Sequence, residues 1–273
     1  MMNTDRGDIM GYEKYADGKF FKYENDRRGK SEMPSQHYHN VFEFYFLEEG
    51  ICNYFIDDKS YEVLPGDIVL IPEGTIHKTM YEEGQHSRKL MTLSSHYIPS
   101  SVVEMMPSML YLYRNPDIIP EIRKLLLRVE SEYTQPDEYS EEIIESSVAL
   151  LFFLLARNAK NRKTIQNGSV YATQAINYIK DNYSSEIKLS EIAKLISVSP
   201  EHLSRVFKKE TGFGFSEYVT MLRLQKAGQL LKTEAKKSVA KIAFECGFND
   251  SNYFSEKFKS FFGVSPIKYR KAQ

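Results

Sequence analysis

The feature that most limits what this chain can fold into is a weak internal repeat beyond Tyr171. The segment LSEIAKLISVSPEHLSRVFKKETG, starting at Leu189, returns as VAKIAFECGFNDSNYFSEKFKSFFG, starting at Val239. Ile192, Ala193, Val198, Phe207 and Gly212 correspond to Ile242, Ala243, Phe248, Phe258 and Gly263. A supersecondary unit used twice predicts two copies of one local structure. Each copy reads as a short helix carrying Ile-Ala, a turn, and a second helix opened by a capping residue. Ala193 and Ala243 are small enough to let the paired helices approach. Ser199 can accept from free amides of the first turn, and Pro200 sits at the first helical position, where a missing N–H loses nothing. In the second copy Asn249 or Asp250 can cap. Both copies are helix-turn-helix units by this reading.

The second helix of each copy divides into two faces. Leu203, Val206 and Phe207 fall inward, leaving Glu201, Ser204, Arg205 and Lys208 outside at i, i+3, i+4 and i+7. Phe254, Phe258 and Phe261 fall inward in the later copy, leaving Asn252, Ser255, Glu256 and Lys259 outside. Short polar groups with one Arg suit a helix that reads base edges by hydrogen bonds in a major groove. Charge points the same way. Tyr171 to Gln273 carry 17 Lys and Arg against 10 Asp and Glu, and the rest of the chain 19 against 27, a division hidden by the net charge of −1. A basic half joined to an acidic one predicts a polyanion partner for the first.

The strings GFNDSNYFS, from Gly247 to Ser255, and FGVSPIKYR, from Phe262 to Arg270, resemble the AraC/XylS class of regulators, and the resemblance extends over the basic half. It implies a seven-helix domain in which a long central helix, about Gly214 to Lys232, spaces two recognition helices. Both would enter successive major grooves of double-stranded promoter DNA, roughly one helical turn apart. Position by position, the base-reading candidates are His202, Ser204 and Arg205 in the first helix and Ser251, Asn252, Ser255 and Glu256 in the second. Arg205 is the strongest, because Arg pairs bidentately with guanine; the alternative is a phosphate contact. Relatives often carry Arg or Lys where this chain has Glu256. A carboxylate can accept from a cytosine amino group but repels phosphate, and otherwise it is a solvated residue beside Lys257 and Lys259. Lys208, Lys209, Lys236, Lys237, Lys268 and Arg270 are phosphate contacts or solvated charges, adding affinity without sequence choice.

From Phe20 to about Tyr97, Phe, Tyr, Val and Ile are broken at short intervals by Gly, Asp and Pro, which predicts short antiparallel strands closing into a sandwich or barrel. Asp57 and Asp58 mark a hairpin turn, and Pro65-Gly66-Asp67 and Pro72-Glu73-Gly74 mark tight turns. From Pro116 the period becomes helical: Ile122, Leu125, Leu126 and Val129 share a face, then Ile143, Ile144, Val148, Leu151 and Leu155 after Pro136. The helical pair either covers the barrel or forms a dimerisation surface. The polar stretch at 161–170 reads as a linker. The spacing of His37, His39, Glu43 and Gly50, then Gly66, Pro72, Gly74 and His77, resembles the two motifs of cupin barrels, with Tyr81 replacing the final Asn. His37 and His39 project from one sheet face, while Glu43 and His77 are expected from nearby turns. The quartet can hold a divalent transition metal such as Zn, Mn, Fe or Ni, or it can hydrogen-bond an effector or tie strands together. Tyr38, Phe42, Phe44, Tyr45, Tyr54 and Phe55 would line the core or a small-molecule pocket, suited to a sugar or an aromatic effector.

The two cysteines, Cys52 and Cys246, show no metal-knuckle spacing and no disulfide framework. The N-terminus lacks an apolar signal core, and the longest apolar run, Val148 to Ala156, is too short to span a bilayer. The expectation is an α+β chain: a cupin- or jelly-roll-like antiparallel barrel at 1–115, a helical hairpin at 116–160, the linker, and an all-α domain with two helix-turn-helix units at 171–273. It would be a cytoplasmic, homodimeric transcription regulator controlled by a small molecule, requiring no cofactor, touching no membrane, and contacting RNA polymerase if it activates. The alternatives are a metal-dependent cupin enzyme carrying a DNA-binding tail, resting on the His/Glu quartet alone, and an architectural DNA-binding protein without a ligand. Ser190, His202 and Cys246 form no nucleophilic arrangement, so no enzyme is expected from them.

Overall fold

Alternation along one strand organises the N-terminal half. In β2 (Phe42–Glu49), Phe42, Phe44 and Phe46 point one way and Glu43, Tyr45 and Leu47 the other, and all six are buried. A strand covered on both faces belongs to the middle of three layers. It lies in a five-stranded antiparallel sheet of order β1-β7-β2-β5-β8, with β1 (Phe21–Asp26), β5 (Ile68–Ile71), β7 (Ser87–Leu93) and β8 (Leu112–Tyr113). A three-stranded sheet of order β4-β3-β6 holds β3 (Cys52–Ile56), β4 (Lys59–Val63) and β6 (His77–Tyr81). The β3–β4 hairpin closes at the pair Ile56↔Lys59, with Asp57 at φ 59 in the turn, as its sequence predicts.

Between the sheets, Tyr45, Leu47, Val69, Ile71 and Leu90 of one meet Cys52, Tyr54, Ile56, Tyr61 and Val63 of the other. The opposite face of the larger sheet, Phe42, Phe44, Phe46, Met91 and Leu93, packs on α2 (Ile119–Thr134) and α3 (Ser140–Ala159) through Ile122, Leu126, Val129, Val148, Leu151 and Leu155. The helical pair thus covers the sheet, while Leu127, Leu150 and Phe153 remain exposed on its surface. A short α1 (Ser100–Met105) also packs on α3.

The computed structural model describes residues 19–26, 41–81, 86–106, 111–159 and 169–271. They divide into two units, 19–159 and 169–271. The second holds α4 (Val170–Asn182), α5 (Leu189–Leu195), α6 (Pro200–Thr211), α7 (Phe215–Thr233), α8 (Val239–Glu245), α9 (Ser251–Phe262) and α10 (Pro266–Lys271), the seven helices the resemblance implies. Gly214 opens the long α7, and its N–H donates to Glu217 Oε2 at 3.0 Å. Among the described residues no helix is long and apolar enough to cross a membrane.

Candidate nucleic-acid interface

The repeat in the sequence is reproduced hydrogen bond by hydrogen bond. After α5, Ser197 takes φ 60 and the Val198 N–H donates to the Ala193 carbonyl at 2.9 Å. After α8, Gly247 takes φ 85 and the Phe248 N–H donates to the Ala243 carbonyl at 3.0 Å. The next helices are capped by Ser199, which accepts from the His202 N–H at 3.1 Å, and by Asp250, which accepts from the Tyr253 N–H at 2.6 Å. Asn249, the other capping candidate, is the one extra residue of the second turn. Both helices end on left-handed glycines, Gly212 at φ 74 and Gly263 at φ 77.

On α6, Leu203 and Phe207 are buried while Ser204, Arg205 and Lys208 are exposed. His202 is half-buried, edge-on to Tyr171 at 5.7 Å, and its Nδ1 lies 3.3 Å from Arg205 Nη2. A guanidinium only donates, so Nδ1 accepts and the imidazole proton sits on Nε2. On α9, Phe254, Phe258 and Phe261 are buried, and Ser251, Asn252 and Glu256 are exposed. Ser255 is half-buried, its hydroxyl donating back to the Ser251 carbonyl at 2.8 Å. Lys208, Lys209, Lys236 and Lys268 are exposed. Lys237 instead meets Glu245 at 2.8 Å, and Arg270 keeps Nε and Nη2 out of solvent.

Sequence reasoning missed the residues that tie the second helix-turn-helix to α7 and to the end of α4. Arg223, midway along α7, donates from Nε to the Tyr183 carbonyl and from Nη2 to the Ser185 carbonyl, both at 2.7 Å. Gly247 lies against this same cluster: a Cβ there would come within 2.7 Å of the Tyr183 oxygen and 2.9 Å of Arg223 Nε. Gly228 likewise lets α7 approach Phe262, whose ring would lie 2.6 Å from an added Cβ. The signal was one Arg interrupting an apolar helix, which reads equally as a solvated residue.

In the N-terminal unit, His37, His39 and Tyr38 lie outside the described residues. Glu43 and His77 do not arrive from turns, as expected, but from β2 and β6 on facing sheets, where they are 2% and 0% exposed. Sheet-to-sheet packing closes the pair: His77 Nε2 stands 3.6 Å from Glu43 Oε2. Tyr54 donates to Glu43 Oε1 at 2.6 Å, and burial together with that carboxylate pushes the phenol well above its ordinary pKa. His77 Nδ1 is 2.8 Å from the Thr75 carbonyl, which can only accept, so Nδ1 carries a proton. Tyr81, at the position of the motif's Asn, accepts from the Tyr45 hydroxyl at 3.3 Å. Among the described residues, no three His, Cys, Asp or Glu side chains cluster as a metal site.

A family model described as an AraC-like ligand binding domain matches residues 26–150, and one described as a helix-turn-helix domain matches residues 192–272. The HTH-type transcriptional activator RhaS of Escherichia coli (strain SE11) is 24% identical over 252 residues, covering 87% of this chain and 88% of that protein. Among solved structures, the C-terminal domain of AraT, a response regulator from Geobacillus stearothermophilus, is 35% identical; the match covers 38% of this chain and 87% of that one at a TM-score of 0.37. ToxT from Vibrio cholerae is 17% identical over 93% of this chain and 98% of its own, at a TM-score of 0.39. With a ligand-binding model over its sheet unit and a helix-turn-helix model over its helical unit, the chain belongs to the AraC family: a sequence-specific DNA-binding transcription regulator controlled by a small-molecule effector.

Proposed function

We propose that the chain is a cytoplasmic transcriptional activator that reads promoter DNA with α6 and α9 and works beside RNA polymerase. The observation that carries this reading is the backbone hydrogen bond and left-handed residue shared by the two turns, each setting an exposed polar helix face on a buried apolar one. Arg205, with His202 and Ser204, reads one groove, and Ser251, Asn252, Ser255 and Glu256 read the next. Lys208, Lys209, Lys236 and Lys268 supply phosphate contacts; Lys237 and Arg270 contribute less, the first being held by Glu245 and the second half-buried. Effector binding between the sheets changes how these helices engage DNA, and Leu127, Leu150 and Phe153 give two copies an apolar face for pairing. The test is selection of bound DNA with and without a small-metabolite extract. Two contact patches about one helical turn apart are expected; a site with a single patch would sink the two-groove reading.

His77 favours a second role for the N-terminal site. With Nδ1 held by a backbone carbonyl, His77 turns its Nε2 toward Glu43, and a ring nitrogen fixed by a carbonyl is the outer-sphere arrangement of a metal-binding histidine. Glu43 and His77, with His37 and His39, would hold a divalent transition metal, which would anchor an effector oxygen. Stoichiometric metal in the purified protein, lost in both His37→Ala and His77→Ala, is the expected result; a metal-free wild type rejects it.

A further inference from the structure

Strand β7 turns two neighbouring cations in opposite directions. Lys89 faces the helical pair and meets Glu130 Oε2 at 2.5 Å. Arg88 faces the space between the sheets, where its guanidinium carbon lies 5.9 Å from the ring centres of both Tyr45 and Tyr81. Arg88 is 9% exposed. Its Nη2 stands 3.8 Å from Asp26 Oδ2, too long for a hydrogen bond, and its Nε and Nη1 are out of solvent with no hydrogen-bond acceptor among the described residues. Two residues earlier, His86 is 3% exposed and stacks on Tyr81 with ring centres 3.8 Å apart, and neither of its nitrogens has a hydrogen-bond partner among the described residues. Two buried polar side chains with unmet hydrogen-bonding capacity therefore converge on one tyrosine.

Buried polar groups are paired in the great majority of cases, and a buried charge with unmet donors is strongly unfavourable. Glu43 and Asp26 act on Arg88 through charge, but neither hydrogen-bonds it: Glu43 accepts from Tyr54 and faces His77, and Asp26 stands too far off. A guanidinium can only donate, so its missing partner is an acceptor. A sugar hydroxyl would supply a neutral acceptor; an oxyanion supplies a charge-assisted bond, shorter and roughly twice as strong.

We propose that Arg88, with His86 and the Tyr45–Tyr81 hydroxyl pair, is the recognition point for a carboxylate on the effector, whose apolar body lies among the surrounding rings. The proposal rests on the regulator reading above and adds the chemical class of its signal.

The test measures thermal melting of the full chain with phenylacetate, phenylacetamide, inorganic phosphate and glucose. Phenylacetate at ten times its dissociation constant should raise the midpoint by about 3 °C; the amide, phosphate and glucose should not, and Arg88→Met should erase the response. Arg88→Lys, which keeps the charge and loses the Nε donor, should bind phenylacetate at least about tenfold more weakly, so the result does not depend on the Met variant folding. An equal response to the amide or to glucose, no response to phenylacetate, or an unchanged response in Arg88→Lys overturns the carboxylate. The two failures separate in the DNA assay. If a metabolite extract alters wild-type and Arg88→Met binding to DNA alike, the regulator reading stands and the carboxylate falls; if no extract alters wild-type binding, control by an effector falls too.

Discussion

Arg205 and Lys208 stand one turn apart on the exposed face of α6, yet they should behave differently when removed. Arg205→Ala should weaken binding to the selected site by about 1–3 kcal/mol and relax preference at one base. Lys208→Ala should weaken all sequences alike and lower the salt slope by about 1. Quantitative binding to selected and random duplexes checks both, and equal losses on the two duplexes for Arg205→Ala reject its role as a reader. The two thiols make a further prediction. Burial pushes Cys246 up to about 11 and Cys52 up to about 12, so at pH 8 both stay protonated and enclosed. A disulfide reagent such as DTNB should titrate neither until the chain is unfolded; prompt reaction of either would contradict the packing. At this scale, residue type was legible and engagement was not. The pattern offered His202, Arg205 and Lys237 as free polar groups, whereas folding ties His202 to Arg205 and Lys237 to Glu245.

Glycines at the turns show how elements constrain residues. Gly66 and Gly247 both have left-handed backbones, at φ 91 and 85, but Gly66 has open space where a Cβ would go while Gly247 abuts Tyr183 and Arg223. Gly66→Ala should lose only the conformational term, about 1–2 kcal/mol. Gly247→Ala should lose more, because the backbone oxygen of Tyr183 cannot move aside; denaturant melts that rank the two equally would contradict the cluster. A second element-level contact joins β7 to α2. Burial raises the Glu130 carboxyl, but donors from Lys89, Asn25 and Tyr23 more than offset it and leave the pKa below its ordinary value. The contact therefore stabilises fully above the ordinary carboxylate value and is lost as pH falls from there through the depressed folded-state value. Glu130→Gln should lower stability by about 1–3 kcal/mol at neutral pH, with the deficit shrinking in acid, as paired melts at the two pH values would show. Caps and helical periods were readable in advance because Ser, Asp, Pro and Gly act on their own turn. Burial of Arg88 and Lys89 was not, because it depends on which layers cover β7.

For the whole molecule, pairing and spacing carry the predictions. If the exposed apolar face of α2 and α3 joins two copies, Leu150→Glu with Phe153→Glu should convert a dimer to a monomer in sedimentation without loss of helix content. Inserting half a helical turn, about five base pairs, between the two DNA contact patches should abolish high-affinity binding, since one duplex face could no longer meet both helices. The sequence by itself determined the two helix-turn-helix units, their caps, the β3–β4 hairpin and the polarity of each reading face. These follow from interactions within a few residues and from the periods of helix and strand, which a linear pattern encodes. Only the tertiary structure decided that Arg223 and Gly247 lock the second helix-turn-helix to the end of α4, that Glu43 meets His77 across two sheets, and that Arg88 is buried with donors unmet among the described residues. Those relations join residues far apart in the chain, and burial, which sets the energy of a charge, exists only once the layers have closed.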